Sequence, residues 1–123
     1  MESRTAIALR KRDIDILGHV RHTAFHEYLE EGRGVFFASG ADFVYALVHI
    51  EMDFRLEVTW VHEHVAVVMW TEAIGRASFT LAHRVELPDG RVAAEGRTVL
   101  VAWDKAGHRP HALSPEQRAF LAG

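Results

Sequence analysis

With 123 residues, 49% of them apolar, the chain is long enough to bury one core and too short for two ordinary domains, so residues 1–123 are expected to form a single domain. Fourteen Lys and Arg against seventeen Asp and Glu give a net charge of -3, and the scattered basic residues offer nucleic acid no continuous cationic footprint. The absence of cysteine excludes disulfides, thiolate catalysis and Cys-based zinc sites, which leaves carboxylates, imidazoles, hydroxyls and backbone groups for any chemistry.

No apolar run approaches the roughly 18–20 residues of a membrane-spanning helix, and MESRTAIALRKRD lacks the apolar stretch of a signal peptide. A soluble, cytoplasmic protein is expected. Thr5–Arg10 alternates as a first strand with Ile7 and Leu9 on one face. Arg10, Lys11 and Arg12 follow as the one basic cluster, either a solvated strand end or a contact for a phosphate-bearing ligand. From about Thr23 the period changes: Phe25, Tyr28, Leu29, Gly32, Val35 and Phe36 mark one face of a helix ending near Ser39-Gly40, with Glu27, Glu30, Glu31 and Arg33 mostly on its other sides.

The rest reads as strand. Val44–Val58 alternates, placing Val48, Ile50, Met52 and Phe54 against His49, Glu51, Asp53 and Arg55. Val65–Ile74 is a more continuous apolar strand, Gly75-Arg76 a turn, and Ala77–Leu87 a strand with Phe79, Leu81, His83 and Val85 on one face. Pro88-Asp89-Gly90 signals a hairpin into a last long strand, Arg91–Trp103. Ser114-Pro115-Glu116-Gln117 has the form of a capping box with Pro at the first helical position, opening a short terminal helix. The order predicts an α+β layer pair in which a five-stranded antiparallel sheet wraps one long helix. Such a sheet has open edges, so pairing with another subunit is expected.

The segment between first strand and helix carries the chemistry. Gly18 permits a tight turn, Asp15 stands three residues before it, and His22-Thr23 opens the helix. The first N–H groups of a helix lack intrahelical partners and add partial positive charge, so that end attracts an oxyanion or a polarised carbonyl. A carboxylate held across the turn would put a nucleophile or base beside an oxyanion hole, the minimum for acyl transfer. Asp13 suits a structural role in the turn, and His19 a packed, turn-fixing one. His19, His22 and His26 have spacings of three and four, but His19 belongs to the loop and no HExxH pattern is present, so no metal site is expected.

Asp13, Asp15, Gly18, His19 and Val20 (D-x-D-x-x-G-H-V), followed by Phe25 and by Glu30, Glu31 and Arg33 (E-E-x-R), resemble the signature of the 4-hydroxybenzoyl-CoA thioesterase family, which has the hotdog fold. Ile74–Phe79 (IGRASF) and Arg91–Asp104 resemble that family's inter-strand turn and final strand, so the likeness spans nearly the whole chain in order. It implies hydrolysis of an acyl-CoA or acyl-carrier-protein thioester, with Asp15 as the catalytic carboxylate, acting through an anhydride or as general base on water. It implies that the backbone N–H at His22 polarises the thioester carbonyl, with the His22 side chain as a second catalytic group. Gly18, His19, Thr23, Phe25 and Arg76 are the residues expected to bind substrate, Arg76 near the nucleotide phosphates. The resemblance further implies a homodimer or homotetramer with sites at subunit interfaces and no metal or organic cofactor. Two other readings are compatible with the motif: an acyl-thioester hydratase or dehydratase on the same fold, and a non-catalytic thioester-binding module.

Overall fold

The computed structural model describes residues 2–40 and 42–123. Strand β1 (Glu2–Ala8) is followed by a 3₁₀ turn at Lys11–Asp13 and helix α1 (His22–Phe37). Four strands come next: β2 (Tyr45–Phe54), β3 (His64–Ile74), β4 (Ser78–Glu86) and β5 (Val92–Asp104). The two-residue β6 (Arg109–Pro110) and helix α2 (Pro115–Ala122) complete the described chain. The sheet runs β1-β3-β4-β5-β2, every pairing antiparallel, with β6 against the end of β5. The mixed α+β architecture agrees with the sequence. A description with one helix is incomplete, because α2 adds Leu121 to the core and sets Phe120 edge-to-face on Phe36.

The strands turn one face to α1. Val67 and Met69 of β3 lie in register with Val85 and His83 of β4, and those with Ala94 and Gly96 of β5. Helix α1 approaches β3 closely at Gly32, where a Cβ atom would stand 2.7 Å from Val67 Cγ1. The expected capping box is formed: Gln117 N–H donates to Ser114 Oγ at 3.1 Å, and Ser114 N–H to Gln117 Oε1 at 2.9 Å. Strand β1 stops at Ala8, short of the expected Arg10, because the chain turns there and Arg10 becomes the cap of the 3₁₀ turn.

Three expectations about burial are corrected. Val48, assigned to the face of Ile50 and Met52, is 60% exposed because the ladder between β2 and β5 shifts between Leu47 and His49 and breaks the alternation. Val35 is exposed while Arg33 is buried. At 100° per residue both stand about 80° from the middle of the apolar stripe, so the reach of the sheet round the helix decides between them. Trp70, part of the apolar run Val65–Ile74, lies half-buried on the sheet's outer face with the Arg84 guanidinium 5.2 Å from its ring centre.

Candidate active site

The segment from Asp13 to Arg21 is a small closed turn. Asp15 N–H donates to His19 O at 2.8 Å and Gly18 N–H to Asp15 O at 3.0 Å, while Ile14 bridges Val20. Gly18 closes the turn at φ +83, a left-handed conformation that a side chain would strain. Asp15 Oδ1 accepts from the N–H groups of Leu17 (2.9 Å) and His19 (3.1 Å); Oδ2 receives no hydrogen bond among the described residues. The turn is tied down on both sides: Val20 N–H donates to Val58 O and Arg21 N–H to Asp13 O, each at 2.7 Å, and His19 bridges Thr59.

Beneath this turn the Asp13 carboxylate is fully buried. Its Oδ2 accepts from the Tyr28 hydroxyl at 2.7 Å and from Arg10 N–H at 3.0 Å. Burial, and then the adjacent Asp13 carboxylate, push the Tyr28 phenol well above its usual range, so it remains a donor. The pair fixes the turn to the first half of α1.

Helix α1 begins without help from a side chain. Its N-cap is Arg21, no described side chain accepts from its first N–H groups, and its first turn contains no acid. Free donors and the positive end of the helix dipole are left available there. They open beside a cleft of about 230 Å³ that is lined by His19, His22, Phe25, Phe54, Arg55 and Glu57, with Val20, Leu56 and Val58 between them. Phe25 and Phe54 meet edge-to-face at 5.2 Å and form an apolar wall. His19 Nε2 meets Glu57 Oε2 at 2.7 Å.

Of the residues singled out in the sequence, His19, His22 and Phe25 share this cleft. Asp15 and Gly18 belong to the turn that carries His19 and do not line the cleft, and Thr23 is exposed on the first helical turn. Arg76 is not brought to the cleft by its own chain. It sits exposed in the β3–β4 turn, and the seven residue steps from Val67 to Ile74 alone span roughly 23 Å of strand. Glu31 of α1 pairs with Arg10 at 2.8 Å. Phe54, Arg55 and Glu57 were not identified as site residues from the sequence. Alternation places Phe54 inward, but nothing local in LEVTW brings Glu57 to His19. Among the described residues no three His, Asp or Glu side chains gather into a group that could hold a metal.

The profile of the thioesterase-like superfamily matches residues 9–121. A thioesterase from Thermus thermophilus, solved with coenzyme A and zinc, is 29% identical, with 98% of this chain and 97% of that one covered and a TM-score of 0.89. Two further structures share the fold: the DHNA-CoA thioesterase of Staphylococcus aureus (17% identity, 98% and 89% covered, TM-score 0.88), and Slr0204, a 1,4-dihydroxy-2-naphthoyl-CoA thioesterase from Synechocystis (15%, 99% and 96%, 0.85). Among curated proteins none matches the sequence. With the profile covering nearly the whole chain, the protein belongs to the thioesterase-like superfamily and is a hotdog-fold thioesterase.

Proposed function

We propose that the protein hydrolyses acyl-CoA or acyl-carrier-protein thioesters at the start of α1, beside the cleft, with Asp15 of the adjoining turn as the reacting carboxylate. The observation that carries this reading is the uncapped N-terminus of α1, which opens beside a cleft walled by Phe25 and Phe54 and is fixed to the Asp15 turn. A carbonyl oxygen placed at the His22 N–H would gain negative charge where donors already point, a contribution of roughly 3–4 kcal/mol for such a donor. Asp15 Oδ1 is held by two N–H groups, so Oδ2 is the oxygen left for chemistry. It acts as nucleophile, giving an anhydride, or as base on water. A coenzyme A complex in the Thermus thermophilus relative supports coenzyme A as the carrier.

The active unit in this proposal is a homodimer or homotetramer with sites at subunit interfaces. Strand β2 ends the sheet and carries exposed Leu47 and Val48, and Val35 of α1 is exposed as well, an apolar edge suited to a second copy. A second copy would also supply the Arg76 that the single chain keeps away from the cleft.

Free-thiol release from aromatic, branched and straight-chain acyl-CoA esters, with Asp15→Asn as control, tests the assignment. No release from any ester, or equal release by the variant, would overturn it. The His19–Glu57 pair favours a second reading, reversible hydration of an enoyl thioester, which needs an acid–base pair. Water addition to a crotonyl thioester without thiol release would select that reading.

A further inference from the structure

We propose that Glu57 is a positioning residue of this site, and that the imidazole it orients, His19, shuttles the proton of thioester hydrolysis through Nδ1. The inference rests on the hydrolase reading above. The one ion-pair contact that the His19 ring makes with a described residue is Nε2 against Glu57 Oε2 at 2.7 Å. An ionised carboxylate can only accept, so Nε2 carries a proton in both the neutral and the cationic ring. Exchange is therefore confined to Nδ1.

The rest of His19 is clamped. Its N–H donates to Asp15 Oδ1, its carbonyl accepts from Asp15 N–H, and its backbone bridges Thr59. The ring thus rides on the turn that holds the reacting carboxylate, while the ring and Glu57 both line the cleft beside His22. The charged and titratable side chains of that cleft are His19, His22, Arg55 and Glu57, and Arg55 has its own carboxylates, with Glu95 at 3.3 Å and Asp53 at 3.8 Å. Glu57 is left to His19.

Placed this way, the pair balances the reaction. Asp15 Oδ2 bonds to the acyl carbon, the C–S bond breaks, and the departing thiolate takes the Nδ1 proton of the imidazolium. Water then adds to the anhydride, the bond to Asp15 breaks, and Nδ1 recovers a proton from that water. The products are one carboxylic acid and one thiol, with the Asp15 carboxylate and the Nδ1 proton both restored. In each step Glu57 holds the ring and opposes its positive charge.

Steady-state kinetics on an acyl-CoA that the wild-type protein hydrolyses, together with ¹⁵N NMR of the labelled protein, test this. His19→Gln should lower kcat by about 100-fold, and Glu57→Ala by roughly tenfold with KM little changed. Glu57→Gln, whose amide oxygen still accepts from Nε2–H, should recover most of the loss. The double variant should be no slower than His19→Gln alone, because a partner that acts only through His19 has nothing left to orient. In the wild type the neutral His19 ring, identified by the signal lost in His19→Gln, should be the Nε2–H tautomer, and Glu57→Ala should mix the tautomers. Wild-type kcat in Glu57→Ala, additive losses in the double variant, or an Nδ1–H tautomer in the wild type would overturn the inference. If Glu57→Ala does not fold, Glu57→Gln and the wild-type tautomer decide. Full activity in Asp15→Asn would instead overturn the hydrolase assignment to this cleft, whereas an inactive Asp15→Asn beside fully active Glu57 variants removes only the shuttle.

Discussion

The hydroxyl of Tyr28 donates to Asp13 Oδ2 at 2.7 Å where neither residue has any solvent exposure. Asp13 Oδ1 is buried without a partner among the described residues, so the carboxylate relies on Tyr28 and Arg10 for its compensation. Tyr28→Phe removes a hydrogen bond to a charged group and leaves that group more poorly solvated. The expected loss is about 2 kcal/mol, read as a lower urea midpoint at unchanged slope. An unchanged midpoint would show that the turn is held by its backbone bonds alone.

Asp15 should behave differently. Its Oδ1 accepts two local N–H groups, a role that an asparagine oxygen can take over. Asp15→Asn is therefore expected to keep the fold and the melting temperature within a few degrees while thiol release drops by orders of magnitude. A variant that melts early and is inactive would point to a structural role; one that is active would remove Asp15 from the chemistry.

Buried His83 predicts a specific acid sensitivity. Burial first, and then the positive charge of Arg33, lower its pKa from 6.5 to about 4. Between those values the unfolded chain binds a proton that the folded chain refuses. The neutral ring's stability is therefore fully present above pH 6.5 and is lost as the pH falls toward 4, by roughly 3 kcal/mol in all. Urea denaturation at pH 7.5, 6 and 5 should show a shallower pH dependence in His83→Gln than in the wild type. Parallel curves would contradict the assignment.

Gly96 is pinned by a close approach. It pairs with Met52 across the β2–β5 ladder, and a Cβ atom there would overlap the carbonyl oxygen of Glu51, which belongs to the backbone of the neighbouring strand. Gly96→Ala should cost about 3 kcal/mol and loosen β2, visible as faster amide exchange at Glu51–Asp53. Gly34→Ala on α1, where an added Cβ would meet no other described part of the fold within 4 Å, serves as the tolerated control.

Much of this molecule was legible because its signals are local. The 3.6-residue period of Phe25, Tyr28, Leu29 and Phe36 identified α1, the alternation from Phe79 to Val85 identified β4, and Ser114 with Gln117 identified the start of α2. The Asp15–Gly18 turn and the helix that follows it were readable for the same reason, since turn chemistry and helix start lie within one stretch of ten residues. The family resemblance rested on that same stretch.

Contacts between distant segments decided the rest. Whether Val35 or Arg33 goes under the sheet depends on how far the strands curl round the helix, and the exposure of Val48 depends on a one-residue shift against β5. The separation of Arg76 from the cleft follows from the length of β3. Glu57 reaches His19 only because Val20 and Val58 hydrogen-bond between segments 38 residues apart, bringing the loop that follows β2 onto the Asp15 turn. By itself the sequence determined the elements, the Asp15 turn and the helix end beside it, because backbone preference and hydrophobic period act over a few residues. Tertiary structure alone decided which glutamate meets His19 and which aromatic rings wall the cleft, because burial and charge pairing arise only when the sheet closes on the helix.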